Sequence, residues 1–161
     1  MNLCEFPTRQ KFKLLYRASE DGFSSSSFHE KCDGIKNTLT IIKSTNNNIF
    51  GGYTGAAWNQ KGSYIYDTDS FIYSFINKSN FPFKTNCTDN ENSIVGHSSL
   101  GPRFGIVDLY IYSDSDKNKT SSSSLGHSYN HVLIERLYVP TILAGSMYFQ
   151  TTEIEVFEKL N

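Results

Sequence analysis

The fold class is decided by a pattern that begins with Lys13-Leu-Leu-Tyr-Arg-Ala-Ser-Glu-Asp-Gly-Phe-Ser24 and continues with Phe28-His-Glu-Lys-Cys-Asp33. Two further runs follow, Thr38-Leu-Thr-Ile-Ile-Lys43 and Ile49-Phe-Gly-Gly-Tyr-Thr-Gly-Ala-Ala-Trp58. Their β-branched and aromatic residues favour strands, and the polar residues at 44–48 favour a turn between them. The segments therefore predict a strand, a turn, a short helix and then a β-hairpin.

Local signals mark the junctions between these elements. The pair Asp21-Gly22 indicates a turn between the first strand and the first helix. Ser24 is suited to cap the N-terminus of a helix of about two turns that ends near Cys32. Gly34 is suited to end that helix, because glycine adopts a left-handed conformation at little cost. We expect Asp21 and Gly22 to have structural roles.

Several other residues are also best explained by structure. Gly51 and Gly52 lie inside a predicted strand, which indicates a bulge or a close approach of another group. Gly101 and Gly105 are expected to serve turns and close packing. Trp58, the only tryptophan, is expected to close one end of the core.

The rest of the chain predicts more strands and two polar loops. The segment 71–76 is apolar on both faces and predicts a central strand. Two further strands, at 92–97 and 105–112, flank a loop predicted at 98–104. The low-complexity segment 114–124 predicts an exposed loop that contributes nothing to a core. A closing strand follows at 152–158, where apolar residues alternate with glutamates.

Together these segments, in this order, resemble the TLDc domain of the eukaryotic oxidation-resistance proteins. The resemblance covers residues 13–158, which leaves an N-terminal tail at 1–12 and a C-terminal tail at 159–161. It implies an α+β, β-rich fold, a sandwich of two antiparallel sheets with a few short flanking helices. It also implies a non-catalytic protein-interaction module linked to oxidative-stress protection. The implied partner is the vacuolar-type proton-pumping ATPase, which some members regulate, and the resemblance implies no cofactor.

Composition and charge exclude several classes of partner. The chain has 161 residues and a net charge of −1, without a basic cluster interleaved with aromatic residues. We therefore expect no nucleic-acid partner. No apolar run approaches the length of a membrane span, and the first residues lack a signal-peptide pattern. The three cysteines are an odd number with wide spacings, a poor disulfide framework. We expect a cytoplasmic protein that does not insert into membranes.

The sequence does not predict a metal site. Its four histidines are scattered, and the closest pair, His127 and His131, lies in a polar region without helical character. The run that begins at Asp114 starts like a calcium loop, but Lys119 and Leu125 occupy the positions of the required glycine and glutamate. We expect no metal and no phosphate-binding loop.

Two alternative functions remain open at this point. Cys32 lies close to His29 and Asp33, so a thiol-dependent peroxide-scavenging enzyme is one alternative. The competing interpretation is a buried Cys32 and a His29 on the surface. A second alternative is a β-sandwich that binds a sugar or another small ligand against an exposed Trp58. Burial of both Cys32 and Trp58 favours the interaction module, whereas exposure of one favours the corresponding alternative.

The candidate interaction residues are Pro102, Arg103 and Phe104, in the predicted loop between Gly101 and Gly105. Loops between strands carry many contacts, and an arginine side chain can bind a carboxylate of another protein through two hydrogen bonds. The alternative is that Arg103 pairs internally with a carboxylate such as Asp108.

Overall fold

The computed structural model describes residues 2–130 and 139–161, which form two antiparallel sheets packed face to face. The first sheet has the spatial order β1 (Phe12–Arg17), β12 (Thr151–Lys159), β2 (Thr38–Ser44), β3 (Ile49–Thr54), β5 (Phe71–Ile76) and β6 (Phe83–Asn86). The second sheet has the order β11 (Tyr148–Phe149), β10 (Ser121–Ser123), β9 (Leu109–Tyr112), β8 (Leu100–Phe104), β7 (Ile94–His97) and β4 (Lys61–Ile65). The predicted β-rich sandwich is confirmed.

Within the described residues, three short helical segments accompany the sheets: α1 (Ala18–Asp21), α2 (Ser25–Cys32) and a 3₁₀ turn (Asn90–Asn92). The predicted cap of α2 is confirmed, because the Ser24 side chain accepts a hydrogen bond from the backbone N–H of Ser27. Gly34, just beyond the helix, has a φ of 78°. The cap residue at the C-terminal end is Asp33, in an extended conformation, so the helix ends before Gly34 and only the predicted N-terminal cap is confirmed.

The predicted hairpin is formed by β2 and β3. Gly51 and Gly52 lie within β3, where a side chain would collide with its surroundings. A Cβ on Gly52 would lie 2.7 Å from the Phe104 ring, and a Cβ on Gly51 would lie 1.9 Å from the Thr40 carbonyl oxygen. Glycine at position 52 lets the Phe104 ring of the second sheet approach the backbone of the first, whereas glycine at position 51 allows a close approach to β2 within the first sheet.

Aromatic side chains fill the space between the sheets. The buried Trp58 ring packs edge-on against Phe28 and Phe104, with centroid distances of 5.4 and 5.6 Å. Its indole N–H donates a hydrogen bond to the Thr38 hydroxyl at 2.9 Å. The ring therefore joins α2, the first sheet and the second sheet in one core.

Two segments predicted as loops contain strands. Most of the predicted loop at 98–104 is strand β8, which includes Pro102. Proline lacks an N–H, and β8 accommodates it at a register irregularity between Leu100 and Arg103. The segment 114–124 contains strand β10, which pairs with both β9 and β11. Serine has no strong strand preference, so only the neighbouring strands reveal β10.

Residues in the segment 114–124 are also buried, in contrast to the predicted exposed loop. Ser115, Ser121 and Ser123 have no exposed surface. The Ser115 hydroxyl lies 2.6 Å from the Thr151 hydroxyl. The backbone carbonyl of Ser115 accepts a hydrogen bond from the Thr151 N–H at 2.9 Å. The segment therefore connects the edge of the second sheet to the start of β12.

The residues before β1 pack on the outer face of the first sheet. The Phe6 ring lies edge-on to Phe12 and Tyr53, with centroid distances of 5.3 and 5.4 Å. Glu5 forms an ion pair with Lys84 of β6. Aromatic packing and one ion pair thus hold this segment against the sheet.

Candidate functional site

The outer face of the second sheet carries a row of tyrosines around one arginine. Along β9, Leu109 and Ile111 point into the core, whereas Tyr110 and Tyr112 point outward. The register of the six strands aligns one outward position from each strand. These residues, here called the tyrosine–arginine row, are Tyr148, Ser122, Tyr110, Arg103, Val95 and Tyr64. Val95 is buried, so the exposed side chains of the row belong to the other strands.

The tyrosines of this face are accessible to a partner. Tyr148 is 60% exposed, Tyr64 is 43% exposed, and Tyr112, one pleat further along β9, is 37% exposed. Ile106 and Val107, in the turn between β8 and β9, are also exposed. Tyrosine and arginine are the residue types that most often dominate the energetics of protein interfaces.

Arg103 occupies the middle of the row. Its guanidinium carbon lies 3.8 Å from the centre of the Tyr110 ring and 5.6 Å from the centre of the Tyr64 ring. One terminal nitrogen donates to the carbonyl of Ile106 at 2.9 Å. The Nε atom is buried and lacks a hydrogen-bond partner among the described residues. The arginine is thus held over the Tyr110 ring, with part of its hydrogen-bonding capacity unused.

The internal pair considered for Arg103 and Asp108 is not formed. Asp108 is fully buried and accepts hydrogen bonds from four successive backbone N–H groups, of residues 126–129, at 2.9–3.2 Å. Burial raises the pKa of the Asp108 carboxyl, while the donated N–H bonds oppose that increase. Asp108 therefore anchors the segment 126–129 and leaves Arg103 without a carboxylate from this residue.

The other candidate interaction residues are not on the surface. Pro102 is buried, and the Phe104 ring has no exposed area because it lies between the two sheets. Neither side chain can contact a partner, which corrects the prediction that the whole segment is an exposed loop. Of the three candidates, only Arg103 reaches the surface.

The two glycines that flank these residues differ in how closely they are packed. A Cβ on Gly101 would lie 3.4 Å from Ile111 of β9, an ordinary van der Waals contact. Gly105 has a φ of 72°, and a Cβ there would lie 2.2 Å from the Asp108 carboxylate. A side chain at 105 would therefore be strained and would also displace the buried carboxylate.

Asp21 is the last residue of α1, and Gly22 begins the turn to α2. The Asp21 carboxylate accepts the Arg17 N–H at 2.9 Å and lies 3.4 Å from the Lys31 ammonium group. The backbone N–H bond of Arg17 is the main cause of a lowered Asp21 pKa. The Gly22 carbonyl accepts the Tyr16 hydroxyl at 2.7 Å.

The cysteine considered for peroxide chemistry is inaccessible. Cys32 has no exposed surface, and burial raises the pKa of its thiol well above the ordinary value. A protonated, buried thiol is a poor nucleophile. A peroxide-scavenging enzyme needs an accessible, reactive thiol, so the burial of Cys32 contradicts this alternative.

His29 is buried, in contrast to the predicted surface position. Its Nδ1 lies 2.6 Å from the Asp33 carboxylate, and its Nε2 lies 2.9 Å from the carbonyl oxygens of His97 and Leu100. The side chain therefore ties α2 to the β7–β8 turn. This structural role accounts for the four-residue spacing of His29 and Asp33.

The burial of Trp58 contradicts the sugar-binding alternative, which required an exposed ring. Cys32 and Trp58 are both buried, and burial of both residues favours an interaction module over the two alternatives. Among residues 2–130 and 139–161, no group of three or more His, Cys, Asp or Glu side chains is placed to hold a metal. His131 of the closest histidine pair lies outside the described residues.

A search of protein families matches the model of the TLDc domain to residues 1–159 of the chain. The chain is a TLDc domain. A Drosophila melanogaster protein named GTPase-activating protein skywalker is similar to it, with 28% identity over 96 residues. The match covers 53% of this chain and 16% of that protein.

Family membership fits a non-catalytic interaction module, and the described part of this TLDc domain contains no helix long and apolar enough to cross a membrane. The chain spans about one sixth of the relative's length. The GTPase-activating activity in the relative's name is therefore stated of that protein alone.

Arg103 is a candidate from the sequence, whereas the tyrosines that surround it in the structure are not. Tyr64, Tyr110 and Tyr148 come from three strands that are distant along the chain. The alternation of Leu109 to Tyr112 is a usable signal, because it places tyrosines on one face of a single strand. Alignment of the other strands requires the pairing register, which no local pattern provides.

Proposed function

We propose that this TLDc domain is a non-catalytic, cytosolic protein-interaction module and that its partner surface is the tyrosine–arginine row. We propose further that the partner is the vacuolar-type proton-pumping ATPase and that binding contributes to protection against oxidative damage. The partner and the link to oxidation rest on the family, whereas the surface rests on this chain.

The observation that supports the proposal is the exposure of tyrosines around a stacked arginine. A side chain that is already held in place loses little conformational freedom on binding, so its contacts retain most of their energy. Arg103 is held by Tyr110 and by the Ile106 carbonyl in this way. The free terminal N–H groups then suit a carboxylate of the partner.

The test compares Arg103→Ala with Arg9→Ala, which removes an exposed arginine outside the row. Each purified protein is titrated against the isolated ATPase, and its melting temperature is measured in parallel. We expect Arg103→Ala to weaken binding by about 1–3 kcal/mol, or roughly 5- to 150-fold in Kd, if it is a dominant contact. Arg9→Ala should bind like the wild type.

Two results would contradict the proposal. Unchanged affinity of Arg103→Ala together with a lowered melting temperature would leave Arg103 with a purely structural role. Absence of measurable binding by the wild type would exclude the ATPase as a direct partner. For the oxidative link, survival of peroxide-treated cells that express wild-type protein or Arg103→Ala should differ in parallel with binding.

A further inference from the structure

The strands of the second sheet differ from those of the first in their acidic residues. Its six strands contain Lys61 and Arg103 and not a single Asp or Glu. In the first sheet, β12 alone carries Glu153, Glu155 and Glu158. The first sheet also carries five basic residues, so what distinguishes the second sheet is that its strands offer Arg103 no carboxylate partner.

Arg103 is an uncompensated cation at the centre of this face. Among the described residues it forms no ion pair, in contrast to Arg17, which contacts both Glu20 and Glu155. Its Nε is buried without a hydrogen-bond partner. Both hydrogen bonds of the guanidinium, to the Tyr64 hydroxyl and the Ile106 carbonyl, use the same terminal nitrogen, so the N–H groups of the other terminal nitrogen can bind an oxygen acceptor of another molecule.

The dimensions of the row indicate the size of its ligand. The row crosses six strands from Tyr148 to Tyr64, and five strand spacings amount to about 24 Å. An extended chain advances about 3.3 Å per residue, so about seven residues cross the row. Arg103 lies on the fourth of these strands, and the exposed rings of Tyr148 and Tyr64 lie at the two ends.

We infer that the row binds an extended segment of about seven residues in a partner protein, with an Asp or Glu over Arg103 and apolar side chains towards the ends. The carboxylate satisfies the unused guanidinium N–H groups, and the apolar side chains pack on Tyr64 and Tyr148. This inference rests on the proposed interaction function and adds the chemistry of the ligand.

A phage-displayed library of random heptapeptides provides the test. It is selected on the immobilised wild-type protein after depletion on the Arg103→Gln variant. We expect the selected peptides to be enriched in a single Asp or Glu near the centre, flanked by apolar residues. Absence of enrichment, or enrichment without a carboxylate, would overturn the inference.

The best heptapeptide is then labelled and measured by fluorescence polarisation. Replacement of its acidic residue by the amide, or Arg103→Gln in the protein, should each weaken binding at least about 10-fold. The two changes together should weaken it little more than either alone, because they remove the same contact. Arg9→Gln is the matched control and should leave the affinity unchanged.

A second variant tests the same surface independently, in case Arg103→Gln does not fold. Tyr148→Ala alters an exposed side chain at the sheet edge, and it should also weaken the heptapeptide while the melting temperature stays constant. Wild-type affinity in Tyr148→Ala and Arg103→Gln alike would place the peptide elsewhere and refute the inference.

The experiment also separates this inference from the proposed function. If carboxylate-dependent peptides bind the row but the ATPase does not bind, the inference stands and the proposed partner fails. If the ATPase binds through Arg103 but the peptides show no carboxylate requirement, the proposed function stands and the inference fails.

Discussion

Replacement of Asp108 by asparagine tests the buried carboxylate that anchors the segment 126–129. One carboxylate oxygen accepts the N–H groups of Gly126, His127 and Tyr129, and the other accepts that of Ser128 at 2.9 Å. Asparagine keeps a single oxygen, so at least one N–H group faces an amide NH₂ instead of an acceptor. The remaining bonds become bonds to a neutral group.

The magnitude follows from these contacts. A buried N–H that loses its acceptor costs about 1–3 kcal/mol, and each remaining bond loses up to about 1 kcal/mol when its acceptor becomes neutral. The desolvation that raises the Asp108 pKa is relieved in the variant and offsets part of this loss. We expect Asp108→Asn to lower the free energy of unfolding by about 2–4 kcal/mol. For a chain of this size the melting temperature should fall by about 5–15 °C.

The assay is urea unfolding, combined with hydrogen exchange of the backbone amides at 126–129. The free energy should fall without a change in the slope against urea, and protection should be lost first in these amides. Asp114→Asn makes the same chemical change at an exposed position and is the control. If Asp108→Asn is as stable as Asp114→Asn, the four N–H bonds do not stabilise the fold and the reasoning is refuted.

Three further predictions concern the described core and loops. Replacement of 114–124 by a Gly-Ser linker should lower the melting temperature by more than 10 °C, about 3 kcal/mol or more, since β10 is lost; a shift of a few degrees would show that β10 is dispensable. Cys32 should react with a thiol reagent only after unfolding, whereas the half-buried Cys87 should react in the folded protein; equal rates would contradict the burial of Cys32. Burial raises the pKa of the Tyr73 and Tyr129 phenols, so the stability that depends on their neutral forms is complete below about pH 10 and is lost at higher pH. Unfolding measured between pH 8 and 12, with absorbance at 295 nm, should show them ionising as the protein unfolds, and ionisation in the folded state near pH 10 would contradict this.

Local patterns in the sequence were sufficient for much of the fold. The N-cap at Ser24, the hairpin around residues 44–48 and the alternation at 152–158 all depend on interactions within a few residues. Such interactions have nearly the same free energy in any fold that contains the segment. For this reason the helix α2, the β2–β3 hairpin and the strand β12 could be predicted without knowledge of their partners.

Only the tertiary structure determined that segments with weak β preference form strands, and which residues make up the tyrosine–arginine row. The segments 100–104 and 121–123 contain glycine, proline and serine, and they become strands because neighbouring strands satisfy their backbone groups. The burial of Phe104 and the exposure of Arg103 follow from the same pairing, since adjacent strand residues point to opposite faces. Alignment of Tyr64, Tyr110 and Tyr148 beside Arg103 depends on the register of all six strands, which is set by packing between segments far apart in the chain.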